Sequence, residues 1–353
     1  MNKKKTVFVG LSGGVDSSVA ALRLKNQGFS VIGVFIKVWH PDFMVCNWEA
    51  ERLDAMRVAA HLEIPFLTCD AEAAYRDEVA EYFISEYKNG RTPNPDVLCN
   101  KEVKFGRFLE FATAHGADYI ATGHYVNRKD IQEMAELHRG VDTDKDQSYF
   151  LWSLSNGQLQ KALFPVGNSK KSVIRAEAAR AEIPTATKKD SQGVCFLGHI
   201  DIPEFLSHYT TLTEGNVLNE SGEIIGTHKG ALVYTLGQRH GFTLETVDTN
   251  RTHMFVVAKN MQANTITVAP ESSKVESGDT VTLHSVLLRS TIVSGAILEA
   301  QFRYRQNPFP VEVIEVGKEH LILRLAETTE RPASGQSCVL YQGSLCVGGG
   351  IIN

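Results

Sequence analysis

Gly10-Leu11-Ser12-Gly13-Gly14-Val15-Asp16-Ser17-Ser18 is the stretch that decides the fold. It follows the apolar run Thr6-Val7-Phe8-Val9 and leads into a pattern with Val15, Val19 and Leu22 on one helical face. The order is strand, tight glycine turn, helix. Such a turn points backbone N–H groups at an anion, and the helix start adds its positive end. The stretch lacks the Gly-Lys-Ser/Thr ending of a Walker A loop.

Outward from this loop, the first two hundred residues alternate strand and helix. Val31 to Ile36 reads as a buried strand, and Glu49 to Leu62 as a helix with Leu53, Met56 and Ala60 spaced for one face. Ile64 to Cys69 reads as a strand and Ala73 to Lys88 as a helix carrying Val79 and Phe83. Val103 to Ala114 is a further helix, followed by the strand Tyr119 to Thr122. This rhythm implies an α/β domain with a parallel, doubly wound sheet, whose ligands sit beyond the carboxyl ends of the strands.

After about Phe205 helical periodicity fades. Val217-Leu218 and Ile224-Ile225 flank the turn Ser221-Gly222, and Phe255 to Val257 and Ile266 to Val268 flank Gln262-Ala263-Asn264. Val281 to Leu288, Ala296 to Tyr304, Val311 to Val316 and Leu321 to Leu325 follow, the last two joined across Gly317-Lys318. The expected organisation is 1–205 for the catalytic domain, 206–275 for a small central β-rich domain and 276–353 for a C-terminal β-barrel.

The 353 residues suit two or three domains, and 43% hydrophobic with 22% charged residues is ordinary globular composition. The net charge of −5 gives no global basic field, so a nucleic-acid partner would need a local basic face. No apolar run is long enough to span a bilayer, and the basic start, Met1 to Lys5, lacks the apolar region of a secretory signal. None of the six cysteines forms a CxxC pair; a reducing cytoplasm is expected. The histidines show no metal-ligand spacing, so no tightly bound metal is expected.

Two cysteines stand in marked contexts. Arg91-Thr92-Pro93-Asn94-Pro95-Asp96-Val97-Leu98-Cys99-Asn100 reads as a rigid loop feeding a helix, with Asn100 or a neighbour as cap. Cys99 is then near a helix N-terminus, with Lys101 and Lys104 close in sequence, which favours thiolate. Lys188-Lys189-Asp190-Ser191-Gln192-Gly193-Val194-Cys195-Phe196 sets Cys195 behind a glycine and local lysines. The alternative, that a cysteine is a small buried hydrophobe, suits Cys69, Cys338 and Cys346.

The Ser12-Gly13-Gly14-Val15-Asp16-Ser17 string resembles the pyrophosphate loop (PP-loop) of ATP pyrophosphatases, which split ATP between the α and β phosphates. Further strings join it in order: Thr92 to Pro95 with Cys99-Asn100 and Lys104-Phe105, then Thr122-Gly123-His124-Tyr125, then Lys145 to Leu151. Asp190 to Gly193 with Cys195-Phe196, Gly237-Gln238-Arg239 and Arg303 to Gln306 complete the set. Together they closely resemble the bacterial tRNA-specific 2-thiouridylase family over nearly the whole chain. One departure lies at Lys37 to Cys46, where the family more often has a Phe-Met-Lys-Asn-Trp stretch and an acidic loop; Ile36 stands where a methionine usually contacts adenine.

That resemblance implies ATP-dependent 2-thiolation of the wobble uridine of tRNA. Gly10 to Ser17 would hold the phosphates with Mg²⁺ bridging them, and Ile36 and Gly123 would contact the nucleotide. The uridine C2 oxygen is adenylated, Cys195 carries a persulfide, and Cys99 is its nucleophile partner, either releasing hydrogen sulfide or resolving the disulfide after direct transfer. Asp96 is the candidate general acid/base, or it positions the base; Asn94, Pro95 and Asp96 would flank the flipped uridine. Lys145, Asp146, Gln147, Arg303 and Tyr304 match positions that contact tRNA. His124 suits either structural hydrogen bonding or nucleotide contact. The family implies lysine, glutamate and glutamine acceptor tRNAs, a sulfur-relay protein or cysteine desulfurase as donor, and a reductant for the Cys99–Cys195 disulfide.

Two other readings compete. Another adenylating enzyme of the ATP pyrophosphatase group, such as an amide-forming synthetase or a lysidine-type tRNA enzyme, needs no reactive cysteine pair. A non-catalytic RNA-binding or sulfur-carrier protein needs neither Asp16 and Ser17 nor Asp96.

Overall fold

A computed structural model describes residues 4–44, 48–190, 201–245, 253–272 and 274–353. The expectations for Cys46, Ser191, Gln192, Gly193 and Cys195 lie outside the described residues. The chain divides into two compact units. The first takes residues 1–79, 95–198 and 341–348, and the second takes 80–94, 199–340 and 349–353.

In the first unit, β1 (Thr6–Gly10), β2 (Ser30–Lys37), β3 (Phe66–Asp70) and β4 (Tyr119–Ala121) carry most of the sheet. With β7 (Ala162–Leu163) they form a five-stranded parallel sheet in the order β3-β2-β1-β4-β7. Val7 and Val9 on one face of β1 and Phe8 on the other are all buried, as a strand covered on both faces requires. Helix α1 (Val15–Asn26) buries Val15, Val19, Ala20, Ala21 and Leu24. Between β4 and β7 runs an antiparallel hairpin, β5 (Val126–Ile131) and β6 (Met134–Arg139), turned at Gln132 with φ +54°. Leu345 pairs with His138 at its edge.

Helix α2 (Trp48–His61) corrects one expectation. Leu53 and Met56 are 45% and 39% exposed, whereas Ala55, Val58 and Ala59 are buried. The buried stripe is made of small residues because the helix backbone comes very close to the glycine loop. A Cβ on Gly13 would lie 2.7 Å from Asp54 Cβ and 3.0 Å from the Ala55 nitrogen.

The second unit holds one β module and the greater part of another, whose residues 341–348 count with the first unit. Strands β8 (Gly215–Leu218), β9 (Ile224–His228), β10 (Phe242–Leu244), β11 (Phe255–Asn260) and β12 (Thr265–Ala269) form one sheet in the order β10-β9-β8-β12-β11. The two-residue strands β13 (Lys274–Val275) and β18 (Thr329–Glu330) pair antiparallel. Strands β14 (Thr280–Leu288), β17 (His320–Leu325), β16 (Phe309–Val316), β15 (Ile297–Gln301), β19 (Ser337–Gln342) and β20 (Leu345–Ile352) follow one another in a second sheet. A β14–β20 pairing closes these six into a barrel. Alternation along β16 and β17 buries Val311, Val313, Leu321, Leu323 and Leu325 inside it. Residues 80–94 also belong here: Phe83 meets Phe205 edge-on at 5.9 Å.

Candidate active site

The glycine loop is built as its sequence requires. The Leu11 N–H continues the ladder to Val34 O at 2.8 Å, and Gly13 adopts φ +68°, which glycine takes without strain. Gly14 caps α1 without a side-chain hydrogen bond. Ser17 Oγ and Ser18 Oγ donate to Gly14 O at 3.2 and 2.7 Å, pinning the turn onto the first helical turn. The Gly14 N–H donates to Ser12 Oγ at 3.3 Å.

Three neighbours close on this loop. Ile36, at the carboxyl end of β2, has Cδ1 3.6 Å from where a Gly10 Cβ would stand, and Phe108 Cε1 lies at the same distance. Gly123 abuts the loop backbone: a Cβ there would lie 2.7 Å from the Ser17 nitrogen and 2.8 Å from the Asp16 carbonyl carbon. Ile36 and Gly123 are therefore beside the loop.

Asp16 organises the charge. Tyr125 donates its hydroxyl to Asp16 Oδ1 at 2.6 Å, and Lys171 Nζ reaches Oδ1 and Oδ2, each at 2.7 Å. Burial and that carboxylate push the Tyr125 pKa far up. Lys171 also reaches Asp190 Oδ1 at 2.8 Å, where Arg175 Nη2 joins at 2.7 Å, while Lys145 reaches Asp190 Oδ2 at 2.8 Å. Burial works against the charge of Asp190, but hydrogen bonds from Lys145 and Lys171 prevail and lower its pKa to about 2. Lys171, Arg175 and Asp142, whose carboxylate accepts the Lys171 N–H at 2.7 Å, were not legible as site residues. A lysine opening a helix 155 residues from Asp16 carries no sequence signal beyond an ordinary solvated charge.

The cysteine region begins differently from the expectation. Residues 91–100 are not a loop throughout: Pro95 opens a helix that continues to Ala114. Proline suits a first helical position, where its missing N–H costs nothing. Asp96 lies in the first turn and Cys99 in the next, so Asn100 is no cap. From Cys99 to Arg107 the helix is wider, with the Phe108 N–H bonding five residues back to Val103 O. Gln158 Nε2 donates to Lys101 O and Phe105 O at 2.9 and 3.0 Å, serving carbonyls of this segment.

Cys99 is 2% exposed. Lys101 pairs with Glu102 at 2.8 Å, whereas Lys104 acts electrostatically on both Asp96 and His124. Burial raises the Asp96 pKa, and Lys104 opposes it. Burial, then Lys104, lowers the pKa of His124 well below the usual histidine value, so its ring is neutral. His124 Nδ1 and Thr122 Oγ1 are hydrogen-bonded at 2.8 Å, and its ring lies 5.8 Å from that of Phe105. The helix thus meets the glycine loop through Phe108 at Gly10, and the adjoining Thr122–Tyr125 segment through Phe105 at His124.

The remaining expected residues divide between the units. Asp146 accepts from the Gly140 N–H at 2.9 Å and from Ser148 Oγ at 2.8 Å, and Gln147 Oε1 accepts from the Tyr125 N–H at 3.0 Å. In the second unit, Arg303 pairs with Glu330 at 2.7 Å and donates to Leu236 O at 3.2 Å. The Arg305 guanidinium lies 5.2 Å from the Tyr304 ring. Asn94 falls in this unit too. The loop before it is held there, with the Thr92 N–H on Ser334 O and Gln336 Nε2 on Thr92 O, each at 2.8 Å. Cys69, Cys338 and Cys346 are fully buried in strands; burial raises the Cys69 pKa to about 11. Among the described residues no cluster of three or more His, Cys, Asp or Glu side chains could hold a metal.

A parallel sheet, a Ser-Gly-Gly turn onto a helix and an adjoining glycine strand end define a PP-loop protein of the adenylating class, a fold that implies use of ATP. Comparison with known proteins narrows the class. Family profiles match in succession: a tRNA methyl transferase HUP domain at residues 5–199, a tRNA methyl transferase PRC-barrel domain at 203–270 and an aminomethyltransferase beta-barrel domain at 286–352. The tRNA-specific 2-thiouridylase MnmA of Proteus mirabilis is 44% identical over 99% of this chain and 98% of its own. That of Enterococcus faecalis is 42% identical over 100% and 96%. The chain belongs to the tRNA-specific 2-thiouridylase MnmA family. Among solved structures, NMN synthetase from Francisella tularensis covers 54% of this chain and 67% of its own, at 17% identity and TM-score 0.36.

Proposed function

We propose that this chain 2-thiolates the wobble uridine of tRNA in the cytoplasm, using ATP and a cysteine persulfide. The observation that carries the reading is the meeting of the Asp96–Cys99 helix with the glycine loop, in a chain related to 2-thiouridylases along its full length. No helix of the described residues is long and apolar enough to cross a membrane.

The chemistry starts from a poor leaving group. The uridine C2 oxygen attacks the α phosphorus of ATP, forming the O-adenylated base and expelling pyrophosphate. N–H groups of Gly10 to Ser17 bind the phosphates, and Ile36 and Gly123 bound the nucleotide. The carboxylates of Asp16 and Asp54 beside the loop are each engaged by a lysine, which fits Mg²⁺ held chiefly by phosphate oxygens; bound there, the ion would neutralise phosphate charge. Asp96, in the first turn of the Cys99 helix, handles the proton or positions the base.

Sulfur transfer follows. Cys195 carries the persulfide and Cys99 supplies the second thiol. The terminal sulfur ends on C2, AMP leaves, and the two electrons come from the cysteines as they close a Cys99–Cys195 disulfide. An external reductant reopens it, and a relay protein or cysteine desulfurase reloads Cys195. Asn94, Pro95 and Asp96 flank the extruded uridine of lysine, glutamate and glutamine acceptor tRNAs. Lys145, Asp146, Gln147, Arg303 and Tyr304 contact the RNA. The modules proposed for these tasks are 1–205, 206–275 and 276–353, beside profile limits at 199/203 and 270/286.

The test is nucleoside mass spectrometry of tRNA from cells lacking the gene, complemented with the wild-type chain or with Cys99→Ser. Restoration of 2-thiouridine by wild type alone is expected. Restoration by both would remove Cys99 from the mechanism, and failure of the soluble wild-type chain with an intact donor pathway would remove the function.

A further inference from the structure

Three cationic side chains converge on one carboxylate at the edge of the glycine loop. Lys145 lies 2.8 Å, Lys171 2.8 Å and Arg175 2.7 Å from the oxygens of Asp190. Counting Asp16, which Lys171 bridges, and Asp142, whose carboxylate accepts the Lys171 N–H, three positive charges face three negative ones, so the cations are held by internal carboxylates. Lys171 and Arg175 stand one turn apart on the helix Lys171–Arg180 and so share a face. Lys145 comes from a separate loop anchored by its own N–H on Asp142 O at 3.0 Å. Lysine and arginine gathered in this way are the usual ligands of phosphate oxygens. The set is joined to the loop itself, because the Lys171 ammonium touches Asp16 and Asp190 together and its side chain is only 11% exposed.

We propose that Lys145, Lys171 and Arg175 form a subsite for the polyphosphate tail of ATP and for released pyrophosphate, and that Asp190 is its internal competitor. The inference rests on the reading of Gly10 to Ser17 as an ATP loop. Binding exchanges one anion for another: the carboxylate of Asp190 gives up its three cations and phosphate oxygens take them. An internal ligand lowers apparent affinity by the fraction of time it occupies the site, so removing its charge tightens binding. Lys145 thereby acquires a phosphate-binding role distinct from contact with RNA.

The experiment is calorimetric titration of the full-length chain with Mg·ATP, with Mg·pyrophosphate and, separately, with unmodified tRNA. Asp190→Asn keeps the side-chain shape and loses the charge; it is expected to bind pyrophosphate about tenfold tighter than wild type, with tRNA affinity unchanged. Lys145→Met is expected to weaken pyrophosphate binding severalfold, and this arm stands even where the Asn variant fails to fold. Equal or weaker pyrophosphate binding by folded Asp190→Asn would mean that Asp190 positions the cations, and the proposal falls. It also falls where either variant alters tRNA affinity alone, which would make the cluster an RNA-phosphate site. A wild-type chain that binds no ATP removes the functional reading beneath, a result separable from these.

Discussion

Lys171 sets its ammonium 2.7 Å from each carboxylate oxygen of Asp16, although 155 residues separate them in the chain. A half-buried charge pair of this kind fixes the carboxylate in the first turn of α1 and so orients the glycine loop. Lys171→Met removes a charge-assisted interaction worth about 1.5–3 kcal/mol, or about 10–150-fold in an equilibrium constant. Pyrophosphate release in the presence of tRNA and ATP is expected to drop within that range, with partial recovery in Lys171→Arg. An unchanged rate would separate Lys171 from the reaction.

Gly123→Ala tests the close approach of the Thr122–Tyr125 segment. The new Cβ would press on the Ser17 nitrogen at 2.7 Å and on Asp16 at 2.8 Å, both backbone atoms that cannot rotate away. Overpacking of this kind costs about 1–3 kcal/mol. The loop has to move, so the dissociation constant for ATP should rise by at least about fivefold. Titration with ATP measures it.

The cysteines should differ in consequence. Cys69 is fully buried at the end of β3 with its pKa raised to about 11, so it is a packed apolar residue and not a nucleophile. Cys69→Ala is expected to cost about 1 kcal/mol of stability and leave thiolation intact. Cys99→Ser and Cys195→Ser should abolish thiolation, while Cys195→Ser still adenylates tRNA because activation precedes sulfur transfer. Adenylate formation and 2-thiouridine content, followed in parallel, check all three.

Lys104 offers a pH test. Its charge opposes the burial that raises the Asp96 pKa. Lys104→Met removes the opposing effect, so Asp96 should lose its proton at higher pH than in wild type. With Asp96 acting as a base in its ionised form, the acid limb of the adenylation profile moves to higher pH. A limb that stays in place assigns Asp96 to positioning alone.

Much of this was legible in the sequence, and the misreadings share physical causes. Apolar runs gave the strands, because a strand buried on both faces must be almost continuously apolar. Leu53 and Met56 misled because size was read as burial, while a helix backbone pressed against Gly13 leaves room only for Ala55 and its small neighbours. Pro95 was read as loop although a first-turn proline opens the helix. The β5–β6 hairpin escaped notice because Asn127-Arg128-Lys129-Asp130 carries charge where strands usually alternate. The cluster around Asp190 depends on contacts between distant residues, which no local pattern encodes.

The chain passes between its two units five times, and residues 341–348 return to the first unit near the very end. Tyr341 there lies under the Arg139 guanidinium at 3.6 Å and shares a hydrogen bond with Ser148 at 3.1 Å. During synthesis, then, the unit that begins first waits until residue 348 for its last segment. Ribosomes must deliver almost the whole polypeptide before the catalytic half holds all its parts, so a prematurely terminated product is an unfinished enzyme and not a smaller one.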